Sequence, residues 1–169
     1  GTAAGDHPAC LRLYVEGPLT VRRCVLFTSD GEVFNCADRG EVTASVVLGY
    51  VLASGKTIMR DSFCLGATNA GQMENSVVGG GNPGNACEYR RCTFTAHIKL
   101  GAGRNFLVDC IAPSVEAIDQ LTRIEYCNVY AKPPYVDLAK PGKGCFSADP
   151  EFMDPAQFDY RLRSTSRCR

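Results

Sequence analysis

The sequence predicts an all-β protein made by stacking one short unit on itself, with a tail outside the stack. Three observations carry this. A six-residue phrase (apolar, any, any, Cys or Ser, any, apolar) occurs seven times, at residues 21–26, 42–47, 59–64, 73–78, 89–94, 107–112 and 124–129. Its Cys/Ser positions, 24, 45, 62, 76, 92, 110 and 127, lie 21, 17, 14, 16, 18 and 17 residues apart, a short period that calls for a solenoid. Between the copies, β-branched runs broken by Gly and Asn dominate, and 17 Gly with nine Pro and no Trp suit a loop-rich β protein.

Within each phrase the first apolar residue and the Cys/Ser stand three apart, which breaks strict strand alternation. A one-residue bend restores it. The apolar residue points in, the next points out, the third makes the corner, and the Cys/Ser points in again. Such a corner needs left-handed backbone angles, where Asn and Asp are the least penalised residues other than Gly. The corners are Arg23, Ala44, Asp61, Asn75, Arg91, Asp109 and Tyr126, three of them Asn or Asp. The one stretch with helical character, residues 114–121, is eight residues long and falls between two rungs.

This pattern resembles the right-handed parallel β-helix of the pectin-lyase-like superfamily. The resemblance implies a single-stranded coil of about seven turns, each with three short strands and like residues stacked on like. The segment 148–162, ADPEFMDPAQFDYRL, is similar to the DP-x-F-x-DP…D-[FY]-x-L segment that follows the last coil in many bacterial β-helix repeat proteins. The expected organisation is an N-terminal segment or cap over 1–18, coils over 19–130, and a tail over 131–169 that packs on them. A β-sandwich with irregular strands is the competing fold. The opening Gly1-Thr-Ala-Ala-Gly reads as a processed or truncated end.

Eighteen basic residues balance 18 acidic ones, so no net charge argues for nucleic acid as a partner. No apolar run approaches the roughly 20 residues of a membrane span. Ten cysteines would ordinarily suggest a disulfide scaffold. However, Cys24, Cys92, Cys110 and Cys127 share their inward column with Ser, so the column asks for small, weakly polar packing. Bridges between stacked neighbours (Cys92 to Cys110, or Cys110 to Cys127) stay open on geometry. Cys145 precedes the tail and Cys168 ends it, so a disulfide between them would staple the tail down. No C-x-x-C occurs, which leaves no zinc or thioredoxin-type signature.

Enzymes of the superfamily are similar to one another in motifs that this chain lacks. There is no Trp for the lyase motif, the one Asp-His (Asp6-His7) precedes the coils, and no Asp-Asp pair is present. His97, on an apparent strand, reads as structural. Gly79 to Gly84 reads as a loop between coils, because no Lys-Ser/Thr follows it. Two outward columns remain. One, with Arg22, Arg60 and Arg90 and with Arg91 at a corner, reads as a solvated face or as a carboxylate-binding one. The other, with Val25, Val46, Phe63, Val77 and Ile111, is apolar where water is expected, so it must be covered by the tail or a partner if the phasing holds.

The expected function is a non-catalytic structural or binding module of an extracellular, periplasmic or cell-surface bacterial protein or assembly. It would associate through the apolar stripe with another subunit or domain, or with polysaccharide, and would use no cofactor. The alternative is a lyase or hydrolase of acidic polysaccharide, for which Ca2+ would be the cofactor.

Overall fold

The computed structural model describes residues 13–15, 17–36, 39–53, 57–65, 71–79 and 86–169. Asp6-His7, Cys10 and residues 80–84 of the glycine-rich loop lie outside these residues. Seven short parallel strands form one sheet, in the order Leu19–Arg22, Gly40–Thr43, Ile58–Arg60, Gln72–Glu74, Glu88–Arg90, Phe106–Val108 and Arg123–Glu125. A second, eight-stranded sheet stacks Leu13–Val15, Val25–Cys36, Val46–Ala53, Phe63–Cys64, Val77–Val78, Thr93–Phe94, Ile111–Ala112 and Asn128–Val129. The third sheet has three strands, Ile98–Leu100, Val115–Ala117 and Tyr135–Asp137. This is a parallel β-helix, and no described helix is long and apolar enough to cross a membrane.

The repeated phrase sets the register. The first sheet pairs Arg22, Thr43, Arg60, Glu74, Arg90, Val108 and Glu125 in one row. The second pairs Val25, Val46, Phe63, Val77, Thr93, Ile111 and Asn128. The corner between them is left-handed in all seven copies, with φ between 49° and 54°. A non-Gly residue there costs about 1–2 kcal/mol, so the stack must hold each one in place. The first apolar residue of every phrase is buried: Val21, Val42, Met59, Met73, Tyr89, Leu107 and Ile124 fill the column's interior.

The corner also explains why the column alternates Ser with Cys rather than filling with Ala. Turning the chain at one residue takes the next N–H out of the regular ladder and leaves the preceding C=O with only the corner N–H of the neighbouring rung. The Ser or Cys side chain pairs both. Ser62 Oγ donates to Arg60 O at 2.7 Å and accepts from Ser45 N at 3.2 Å. Ser45 Oγ bonds Thr43 O and Cys24 N in the same way, and Ser76 Oγ bonds Glu74 O and Ser62 N. Among the cysteines, Cys110 Sγ reaches Val108 O at 3.3 Å, and Cys110 N donates to Cys127 Sγ at 3.4 Å. The column is thus a polar ladder inside an apolar core. No vertical bridge forms among Cys92, Cys110 and Cys127, which are free thiols. Burial pushes the Cys110 thiol well up.

Two features depart from expectation. Residues 115–117 are strand and not a helical turn, because Val115 and Ala117 are fully buried in the core, a spacing of two. The stack also runs past residue 130, since Tyr135–Asp137 continues the third sheet and Phe146 bridges to Asn128. Beyond it, Phe152–Asp154 and Asp159–Leu162 form an antiparallel hairpin closed by a 3-10 turn over Pro155–Gln157.

Candidate functional site: the outward faces of the coil

On the first sheet, alternation sends Glu41, Thr43 and their stacked partners outward in two parallel rows. Charges on these rows pair with each other. Arg22 lies 3.7 Å from Glu41, and Arg60 lies 3.8 Å from Glu41 and 3.5 Å from Glu74. Arg91 at its corner also binds Glu74, and Arg90 Nε donates to Glu88 at 2.6 Å. All four arginines are therefore strung along the face with glutamate partners. Exposed pairs of this kind contribute about 0–1 kcal/mol each. Their effect here is on charge: each guanidinium on the face has a glutamate beside it. Sequence reading missed Glu41 and Glu88 because they precede the phrase. Following each strand two residues backwards finds them.

The second sheet presents the apolar row. Val25 is 67% exposed, Val46, Phe63 and Val77 are half-buried, and Ile111 is 8% exposed. The gradient follows the tail, whose hairpin lies against the row. The Phe63 ring meets Phe158 edge-on at 6.2 Å and stacks with Tyr160 at 6.5 Å, while Phe152 meets Tyr160 edge-on at 5.3 Å. At the last rung, Asn128 fixes the start of the tail. Its Nδ2 donates to Ala148 O at 2.8 Å and its Oδ1 accepts from Ala148 N at 2.9 Å. Both main-chain polar groups of one residue are thus satisfied by a side chain that is itself buried. Read from sequence, Asn128 is only a polar interruption of the stripe.

Cys145 and Cys168 correct the expected staple, since each is a free thiol. The Cys145 sulfhydryl turns to Ile124 O at 3.2 Å, whereas Cys168 Sγ receives Asn128 Nδ2 at 3.0 Å. The two sulfurs have different partners, a backbone carbonyl for Cys145 and a side-chain amide for Cys168, and hydrogen bonds and ring contacts hold the tail.

Where the tail crosses the last rungs, an open cleft of about 490 Å3 remains, lined by residues that include Arg91, Asp109, Tyr126, Phe146 and Arg167. Arg167 sits 5.3 Å over the Phe146 ring. Cations, one carboxylate and aromatic rings mix here without an arranged acid–base pair. On the next outward row of the second sheet, Phe27, Leu48 and Leu65 are 51%, 39% and 41% exposed and extend the apolar surface beside Val25.

The third sheet changes the reading of His97. It is not isolated, because Ser114 and Glu116 of the next rung face the same side. Among the described residues, no set of three or more His, Cys, Asp or Glu is grouped to hold a metal ion. Compared with protein-family models, curated proteins and solved structures, the chain gives no match.

Proposed function

We propose that this chain is a non-catalytic structural or binding module of an extracellular, periplasmic or cell-surface bacterial protein or assembly, and that it associates with another protein through its outward apolar stripe. The observation that supports this is the uncovered end of the stripe. Val25, Phe27, Leu48 and Leu65 stand 39–67% exposed on adjacent outward rows of the sheet, whereas Phe63 is half-buried against the tail. A contiguous apolar surface of this kind marks contact sites on soluble proteins. Kinship with the pectin-lyase-like β-helix proteins is part of the same reading, supported by the left-handed corner in every rung and by the DP-x-F-x-DP tail segment.

The arginine face is nearly balanced in charge, with a glutamate beside each guanidinium, so it offers an acidic polysaccharide little net attraction. A photo-crosslinking residue in place of Phe27, in cells of the source organism, tests the reading. A discrete protein adduct, lost when Leu48→Glu is added and absent when the crosslinker replaces Ile118, is the expected result. No adduct at Phe27, or equal adducts at both positions, contradicts it. Incubation with uronate polymers, with and without calcium, is expected to leave them intact, and any chain cleavage reverses the assignment.

A further inference from the structure

We propose that Ser114 is an activated nucleophile, a covalent modification site that takes an acyl group from an activated ester or thioester, with His97 as its base and Glu116 orienting that base. The site lies on the third sheet and does not depend on the role of the apolar stripe.

Period-two alternation builds it. Ile98 and Leu100 point into the core on one rung, as do Val115 and Ala117 on the next. The strands stack Ile98 on Val115, Lys99 on Glu116 and Leu100 on Ala117. His97 and Lys99 therefore project outward from one rung and Ser114 and Glu116 from the next, as the corners of a small square. His97 Nδ1 lies 2.7 Å from Ser114 Oγ, and His97 Nε2 lies 3.1 Å from Glu116 Oε2. Lys99 Nζ lies 2.6 Å from the other Glu116 oxygen, and Asp137 of the following rung acts on Lys99.

The tautomer follows from the partners. Hydrogen bonds from Lys99 and then from His97 hold the Glu116 carboxyl below its ordinary range, so it is ionised and can only accept. In the neutral imidazole, Nε2 must then carry the proton. Nδ1 keeps its lone pair and accepts from the Ser114 hydroxyl. A hydroxyl bonded to a base that is itself oriented by a carboxylate is the general arrangement of an activated nucleophile. The His97 side chain is 42% exposed, so an electrophile in solution can reach the pair.

The step balances without redox chemistry. Ser114 Oγ forms a bond to the acyl carbon while that carbon's bond to the departing oxygen or sulfur breaks. The hydroxyl proton passes to His97 Nδ1 and then to the departing alkoxide or thiolate. The product is O-acyl-Ser114 and the free alcohol or thiol.

The test treats the full chain with p-nitrophenyl acetate, and separately with a fluorophosphonate, and follows adducts by peptide mass mapping. Exposed Ser147 and Ser164 serve as internal standards. Ser114 is expected to react at least about tenfold faster than either, the low side of what a positioned base supplies. His97→Gln should bring it to their level with the strand signal in circular dichroism unchanged. Glu116→Ala should slow it, and Glu116→Gln, whose amide oxygen can still accept from Nε2–H, should restore part of the rate. Labelling of Ser114 no faster than Ser147 and Ser164, acetylation of Lys99 in its place, or a Ser114 rate indifferent to His97→Gln overturns the proposal. A Ser114 rate in Glu116→Ala equal to that of the unaltered chain, or no recovery in Glu116→Gln, overturns the orienting role of that residue.

Discussion

Ser62→Ala removes one oxygen from the polar ladder and leaves two backbone groups to be accounted for. Arg60 O keeps a partner, because Ala44 N also donates to it at 3.2 Å. Ser45 N has no such substitute, since the bond it loses is the one to Ser62 Oγ at 3.2 Å, and Ser45 is 2% exposed. Orphaning a buried donor costs about 1–3 kcal/mol, and the second lost bond adds about 1 kcal/mol, so the expected loss is roughly 2–4 kcal/mol. Ser62→Cys should cost under about 1 kcal/mol, because Cys127 makes the same pair of bonds with its sulfur, to Glu125 O at 3.2 Å and from Cys110 N at 3.4 Å. Native-state hydrogen exchange reads this directly. The Ser45 amide should open more easily by the stated amount in Ser62→Ala and stay protected in Ser62→Cys. Equal protection in both variants, or a loss below about 0.5 kcal/mol in Ser62→Ala, would refute the idea that the column is kept for its hydrogen bonds.

Asn128→Ala should free the start of the tail, since it removes the side-chain partners of both the N–H and the C=O of Ala148, and limited proteolysis should then cut after residue 146 while the coil persists. Phe63→Asp should loosen the hairpin at its other end, read as faster proteolysis between 152 and 162 with an unchanged strand signal. Ala44→Gly relieves a left-handed corner at φ 49° and should stabilise the chain by about 0.5–1 kcal/mol in urea unfolding. Arg161 holds the Asp159 carboxyl at about 2. Its contribution to the hairpin is therefore complete above about pH 4 and lost as pH falls through 2, so hydrogen exchange at 159–162 should accelerate over that window. Alkylation of the native chain should mark exposed Cys24 and leave Cys110 unmodified until the chain unfolds.

Most of the coil is legible in the sequence because one phrase fixes three things at once: which residues point inward, where the corner falls, and which residues stack. Arg23 and Tyr126 are as left-handed as Asp61 and Asn75, so position in the phrase outweighs residue type. What the phrase does not contain is harder to read. Glu41 and Glu88 lie before it, and their pairing with the arginines depends on side chains reaching between rows. Residues 114–121 carry too few inward positions to separate a strand from a helical turn without knowing what they stack on. His97 looks solitary because Ser114 and Glu116 become its neighbours only through the register of the third sheet. Asn128 and the two tail cysteines depend on where the chain returns after its last rung, and no local pattern records that.

The tail meets the outward face of the stack at Phe63. Phe63 and Tyr160 are far apart in the chain and belong to no common local element, so only this fold brings their rings to 6.5 Å. Nuclear Overhauser measurements on the full chain in solution should show cross-peaks from the Phe63 ring protons to those of both Phe158 and Tyr160, and none from Val25 to the tail. A strand-rich chain that lacks the Phe63 cross-peaks, with the Phe63 ring open to solvent, would contradict both the phasing of the rungs and the placement of the tail.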